Sequence, residues 1–559
     1  MGISKNHVKY DKFLPVWTRC HDAVDGQDAI KAQKEKYLPM LPGMKRTASD
    51  KELYDLYLDN ALWYPATGRT FKAYEGTTFR KPPTKVLPSE MEAYIKLFTS
   101  DGQTMDGFAV ELFGEIVMGY RAGILVDFPQ VATDGMSMEE ANQLGARPYA
   151  SVYPASSIVN WAQSIKGGLL ITVLVVLEEI VEIDKAKAQY GGEVVDENGY
   201  ATLRRELKLM DGVYSQTLYI KRADNGATEY QKVKTVTPMS KGAPLDHIPF
   251  VPVTPKGLVW DLEFPLINDV ANLNLADYRN EALYRDALLF NGRPTYCVAG
   301  LIQEQGKNNI VLGSSTILQF GTEGPWVDSL GGGADADGLL DSGKDLKQRM
   351  ALVGSRALSE DPRGVEAAET AALHRQGEDG VLSSIANGTS AGMTRALEIM
   401  RDWMGFNGEA SYTISTDFIP ANVDPARMTA IWQMFVAGDI SFTTYFQYLE
   451  RGEVYPTGWT EDDETKAIEE KDEKDAAGLP LDGLPGDTDD VEEAVKVATL
   501  SGIQIEAANT IIQSVASGAL TREAAINQLI VFLGLSRDNA EKVMQGVETG
   551  DSTTEPGQE

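Results

Sequence analysis

A mixed α+β fold, with helices and sheets segregated along the chain, follows from three features of this sequence. Residues 166–260 are a series of short β-rich runs punctuated by turn signals. Residues 265–290 run about 26 residues without an internal Gly or Pro after the opening Pro265, roughly 39 Å of helix at 1.5 Å per residue. Residues 367–404 form a second long helical stretch, rich in Ala and carrying Gly377, Gly380, Gly388 and Gly392, which are expected to interrupt it. At 559 residues the chain exceeds one compact core, so two or more domains are expected.

Residues 1–165 read as mainly helical with irregular connections. Helical spacing covers Glu52–Ala61, Ser89–Phe98 and Asp106–Met118, the last placing Phe108, Leu112 and Ile116 on one face. WYPATGRTFKAYEGTTFRKPP, residues 63–83, reads as a polar, turn-rich connection, and Gly123–Asp127 as a short buried strand. The runs GGLLITVLVVLEEIVEI, ATLRRELKLM, GVYSQTLYIKR and TEYQKVKTVTPM are separated by GG, DENG, DG and DNG, the pattern of an antiparallel meander. Within the first, Leu169–Leu177 predicts a buried strand. The prolines of HIPFVP (247–252) suit a sheet edge.

Asn291, Gly292 and Pro294 stop the first long helix. A compact β-rich insert follows, with PTYCVAGL and IVLGSSTILQF as strands. A second helix over Asp341–Leu358 carries Leu346, Met350, Val353 and Ala357 on one stripe. SEDPRG breaks the chain at 359–364, and SYTISTDFI reads as a strand after the long Ala-rich helix. Further helices are expected over 424–450. Residues 461–493 hold fifteen acids against three Lys and read as a solvated linker. Small amphipathic helices over 491–548 and a disordered last dozen residues complete the prediction.

The formal net charge is −31, from 82 acidic and 51 basic residues. Tight binding of phosphates needs Lys and Arg surfaces, so stable DNA binding by the whole molecule is not expected; a channel through which DNA slides without sticking suits an acidic balance, but charge alone favours the plainer reading of an ordinary acidic soluble protein. The two cysteines, Cys20 and Cys297, are too few for a disulfide framework and fit a reducing cytoplasm. The N-terminus lacks the apolar core of a signal peptide, and the most apolar run is too short to cross a bilayer as a helix, so no membrane partner is expected.

Two fragments imitate catalytic signatures. Gly338–Lys344 has phosphate-loop spacing, but Asp345 follows where Ser or Thr would ligand Mg²⁺, and GGGADAD precedes it instead of a hydrophobic strand. Gly388–Gly392 matches G-x-S-x-G but sits in the Ala-rich helical run, not at a strand–turn–helix elbow. No Cys or His pair has metal-ligand spacing. The sequence therefore predicts no catalytic residue, no cofactor and no metal; the remaining enzymatic alternative is a nucleotide-dependent activity at Gly338–Lys344.

The element order, together with particular stretches, resembles the portal proteins of tailed double-stranded DNA bacteriophages. WYPATGRTFKAYEGTTFRKPP with MGYRAGILVDFP resembles the N-terminal part of one portal branch. GAPLDHIPFVPV followed by FPLINDVANLNLADYRNEALYRDALLFNGRPTYCVAG resembles its entry into the first stem helix. Glu369-Thr370-Ala371, after a helix carrying LVGSRAL, resembles the segment that follows the tunnel loop. The resemblance covers residues 50–460 or so and implies a portal fold with wing, stem, clip and crown regions, assembling as a ring.

The resemblance implies a wing over 1–264, stem helices over 265–293 and 339–358, a clip over 294–338 and a tunnel loop over 359–368. A long interrupted helix and wing strand would span 369–423 and crown-like helices 424–460; an acidic linker (461–490), a C-terminal helical segment (491–548) and a tail (549–559) would follow. It also implies a ring of about twelve copies, closed by head-to-tail contacts, at the capsid vertex of a virion assembled in the host cytoplasm. Glu360, Asp361, Arg363 and Glu366 would face DNA in the channel with weak, sequence-independent contact. Gln303, Glu304, Lys307, Asn308 and Asn309 of the clip would meet the terminase large subunit and then the head-to-tail adaptor. Major capsid and scaffolding proteins are further implied partners. Polar stem positions, among them Asn268, Asn272, Asn274, Arg279, Arg285, Lys344 and Lys347, would flank a narrow apolar stripe between subunits. Another phage head or connector protein is the structural alternative.

Overall fold

The computed structural model describes residues 3–42, 44, 47–92, 97–129, 147–192, 194–224, 227–240, 242–292, 295–299, 317–320, 326–330, 336–354, 368–418, 425–437, 439–451, 454–455, 459–477, 511–515, 520–533 and 537–545. The chain divides into two compact units, Met1–Ile419 and Pro420–Glu559.

The first unit opens with helices α1 (Val8–Asp25), α2 (Gln27–Ala32), α3 (Ala48–Asn60), α4 (Ala66–Thr78), α5 (Ser89–Glu92) and α6 (Met105–Gly119). Thr47 and Asp50 form a reciprocal capping box that starts α3, and Thr104 caps α6. Helix α6 buries Phe108, Leu112, Phe113 and Ile116 at the centre of one continuous core. Helix α4 corrects the expected turn-rich connection over 63–83. Its packed face is Thr67, Thr70, Phe71, Tyr74 and Thr78, all buried at helical spacing. Three of those five are threonines, so the stripe is invisible to a search for apolar periodicity.

Strands also interrupt the region expected to be helical. Strand β2 (Ala122–Asp127) lies between β3 (Tyr149–Pro154) and β11 (Phe250–Val253), all antiparallel, with Pro252 on the edge strand. The main sheet is a five-stranded antiparallel meander of β4 (Ile158–Lys166), β5 (Leu169–Glu182), β6 (Tyr200–Met210), β7 (Val213–Asp224) and β8 (Ala227–Val236) in sequential order. Helix α7 (Ile183–Tyr190) joins β5 to β6. The run Leu169–Leu177 is only partly the buried strand expected. Val175, Val176 and Leu177 are buried, but Leu169 is 72% and Leu170 60% exposed. Pairing of β5 with β6 begins at Leu174↔Lys208, so among the described residues the hairpin tip has β4 as its only strand neighbour. Gly167 and Gly168, at φ +60° and +81°, make the two-residue turn there.

Two short pairs complete the early strands: β9 (Met239–Ser240) with β10 (Ala243–Pro244), and β1 (Thr84–Val86) with β15 (Ser411–Thr413). The N-terminal segment is tied to the main sheet by Arg204, which donates to Ile3 O and Asn6 Oδ1, and by Asn160, which donates to Lys5 O. Beside it Arg121, fully buried, lies 4.0 Å from the Trp161 ring centre and within 6 Å of Trp17 and Trp260. Burial lowers its guanidinium to about 9.

The long helix α8 (Asn268–Gly292) is followed by β12 (Thr295–Ala299), β13 (Ile317–Phe320) and β14 (Trp326–Leu330). In this small sheet β12 is central, parallel to β13 and antiparallel to β14. Helix α9 (Ala336–Gly354) starts inside the residues assigned to the clip, with Asp337 in its first turn facing the positive end of the helix dipole. Its stripe also differs from expectation. Of the expected stripe Met350 is buried, Leu346 half-buried and Val353 exposed, and Ala357 lies outside the described residues; Gly343 and Gly354 join Met350 on the packed face, and glycine carries no hydropathy signal.

Helix α10 (Ala368–Met404) is continuous over 37 residues, which corrects the expected interruption. Gly388 and Gly392 do not break it. A Cβ on Gly388 would lie 2.3 Å from Thr254 O, and one on Gly392 2.6 Å from Val253, so both admit β11 and the residue after it.

The second unit holds α11 (Pro425–Val436) and α12 (Phe442–Arg451), whose Trp432, Phe435, Phe442, Tyr445 and Phe446 rings pack on one another. The acidic stretch expected as a linker is helical over α13 (Glu461–Ala477). Thr460 and Asp463 cap each other's backbone there, and four acids in the first turn suit the dipole. Helices α14 (Arg522–Leu533) and α15 (Arg537–Val543) pack with Val515 around Leu529, Ala540 and Met544.

Candidate functional site

The expected tunnel-loop residues Glu360, Asp361, Arg363 and Glu366 lie outside the described residues, as do Gln303, Glu304, Lys307, Asn308 and Asn309. The stem positions are described, and they sit on one helix pair. Asn280 Nδ2 donates to Leu339 O at 2.8 Å, and Asp277 and Asn280 both face Gly343. Helices α8 and α9 are therefore antiparallel neighbours.

The polar residues of α8 are mostly committed within their own unit. Asn268 Oδ1 accepts from Arg19 Nη2 at 2.8 Å. Asn274, fully buried, accepts from Thr67 N (3.1 Å) and Thr67 Oγ1 (2.8 Å) and donates to Tyr64 O (2.8 Å). Arg279 donates to Tyr37 O at 2.8 Å, and Arg285 pairs with Glu281 one turn earlier at 2.7 Å. Asn272 is exposed. Within its own unit α8 is buried on several sides rather than along one narrow stripe, and Asn268, Asn274 and Arg279 bond to α1, α4 and the segment before α3. On α9, Lys344 is exposed and pairs with Asp341 at 2.9 Å, which holds its ammonium charged. Lys347 lies 5.3 Å from the centre of the Tyr64 ring.

The structure brings one group into this seam that pattern reading missed. Asp277 is 1% exposed, and its Oδ1 has no hydrogen-bond partner. Burial raises its carboxyl to about 6, with Lys347 opposing and Glu281 adding to the rise. Its spacing from Asn274 and Asn280, three residues each way, was the available signal: all three share a face of α8.

Neither imitation of a catalytic motif has its required context. Gly338–Lys344 lies within helix α9 rather than in a loop before one. Ser390 is buried in α10, donating to Ala386 O at 2.8 Å and accepting from Ile414 N at 2.9 Å, so its hydroxyl is occupied by backbone. Among the described residues no group of three or more His, Cys, Asp or Glu is placed to hold a metal ion, and no helix is long and apolar enough to cross a membrane.

Fold and site together define a mixed α+β chain of two units, built on several antiparallel sheets and a long antiparallel helix pair. Residues 265–404 match a domain of unknown function, DUF4055, a span that contains α8, the small sheet, α9 and α10. Among solved structures the chain is similar to one from the neck of an empty GTA particle computed with C6 symmetry. Identity is 11% over 78% of this chain and 100% of that chain, with a TM-score of 0.32. A likeness at that level decides neither fold nor function. No curated protein matches.

Proposed function

We propose that this chain is the portal protein of a tailed double-stranded DNA phage, a non-enzymatic subunit of a ring at one capsid vertex. The observation that carries this reading is the order of elements over 268–404: long helix, small three-stranded sheet, antiparallel partner helix, then a second long helix. It is the order that the portal resemblance calls for. The net charge of −31 supports it further, because a wall of excess carboxylates repels phosphates and lets a duplex pass. In this role about twelve copies close head to tail around the channel. The terminase large subunit docks during packaging and the head-to-tail adaptor afterwards, while capsid and scaffolding proteins surround the ring.

The test is the mass and projection of the purified chain, by light scattering and negative-stain imaging. A ring with a central hole and a mass of about twelve times 61.0 kDa is expected. A monomer or dimer that persists with capsid and scaffolding proteins present overturns the reading.

A further inference from the structure

The seam between α8 and α9 contains a carboxylate with no partner, a helix face with no side chain, and a cation parked nearby on an aromatic ring. We propose that this seam is proton-gated: with Asp277 protonated the helices sit as described, and on ionisation Lys347 leaves the Tyr64 ring for the carboxylate. The step releases one proton from Asp277 to solvent and forms one ion pair; no other bond changes. The inference stands on the seam itself and holds whether or not the chain forms a ring.

Among the described residues the geometry leaves Asp277 no other partner. Opposite it α9 presents Gly343, where a Cβ would lie 3.1 Å from Asn280 Nδ2 and 3.8 Å from Asp277 Oδ1. The Asn280 amide is already committed to Leu339 O. One turn beyond Gly343, Lys347 is half-buried and within electrostatic reach of Asp277. On its own helix Asp277 faces Glu281, which disfavours ionisation. From α4 Arg69 also reaches the Tyr64 ring, 6.0 Å from its centre, but it is not among the charges that act on Asp277. Helix α3 brings Tyr54 and Tyr57 to the neighbouring Tyr278, all uncharged at neutral pH and all raised by burial. Lys347 is therefore the cation placed to answer the charge. A surface cation–π contact contributes only about 0.5–1 kcal/mol, less than a desolvated carboxylate gains from a charge-assisted hydrogen bond, so the ammonium exchanges one for the other.

The sign follows from burial. A carboxyl raised to about 6 from 3.8 favours the packed seam at low pH, and that contribution is lost as pH rises through about 6. Pairing with Lys347 limits the loss, so α9 is held by packing below that pH and by the ion pair above it.

Hydrogen exchange of the α9 amides, measured by mass spectrometry on the full chain and corrected for intrinsic rates, reads the seam directly. From pH 4.5 to 8 the wild type is expected to lose protection by about tenfold, within the roughly thirtyfold that a carboxyl raised from 3.8 to about 6 allows over that range. Asp277→Asn is expected to be flat across the same range. Lys347→Met is expected to track the wild type at pH 5 and lose about tenfold more protection at pH 8. Lys347 is half-buried and makes no buried hydrogen bond, so this variant remains informative even if Asp277→Asn misfolds. An Asp277→Asn profile that follows the wild type, or a Lys347→Met effect equal at both pH values, overturns the proposal.

Discussion

Replacing Asn274 with Ala removes a helix cap supplied from more than two hundred residues away. Helix α4 begins after Pro65, whose side chain cannot cap, and its second amide, Thr67 N, is answered by Asn274 Oδ1 at 3.1 Å. The same amide group also takes the Thr67 hydroxyl and donates to Tyr64 O. Asn274→Ala leaves the Thr67 N–H and hydroxyl without their acceptor where no water reaches, since Asn274 and Thr67 are both fully buried, while the Tyr64 carbonyl keeps the Ala66 N–H at 2.8 Å. At about 1–3 kcal/mol for each orphaned group, and about 1 kcal/mol for a lost cap, the local cost is about 3 kcal/mol. That corresponds to an opening equilibrium about a hundredfold larger. Amide exchange over Ala66–Thr78 measures it. A double-mutant cycle with Thr67→Val is expected to couple by about 1 kcal/mol, because the two residues share a bond. A rise below about threefold in α4 exchange, or strict additivity in the cycle, refutes the trans-cap.

Three other outcomes are expected. Gly388→Ala drives a Cβ to 2.3 Å from Thr254 O and is expected to cost about 1–3 kcal/mol, whereas Gly380→Ala, with open space around it, is expected to gain about 0.5–1 kcal/mol; melting temperatures of the two variants should move in opposite directions. Burial, with Glu111 and Asp25 nearby, raises the Glu115 carboxyl to about 7, so its contribution to stability is present at low pH and lost as pH rises through about 7; Glu115→Gln should melt above the wild type at pH 8 and with it at pH 4, and parallel profiles refute the burial argument. Deleting Pro362–Val365 is expected to leave rings intact and impair DNA packaging or retention; loss of rings would mark that segment as a structural joint.

The sequence alone determined those elements whose burial is written in apolar side chains. Helix α6 is legible from Phe108, Leu112 and Ile116, the meander from alternating β-rich runs between Gly-containing turns, and α8 from its long stretch free of breakers. The functional resemblance likewise rests on element order and local sequence. What tertiary structure decided lies where polar or absent side chains do the packing. Thr67, Thr70 and Thr78 became a buried face because Asn274 supplies their helix with its cap. Gly343, Gly354, Gly388 and Gly392 became contact points because their neighbours approach to where a Cβ would stand. Asn268 and Asn274, expected to flank an apolar stripe, were drawn inward by hydrogen bonds to Arg19 and Thr67, while Arg279 stays exposed as it donates to the Tyr37 carbonyl. Leu169 and Leu170 were left exposed because the neighbouring strand ends before it reaches them. Apolar burial is encoded one side chain at a time and can be read locally, whereas a buried amide or glycine depends on a partner distant in sequence and acquires its role only when that partner arrives.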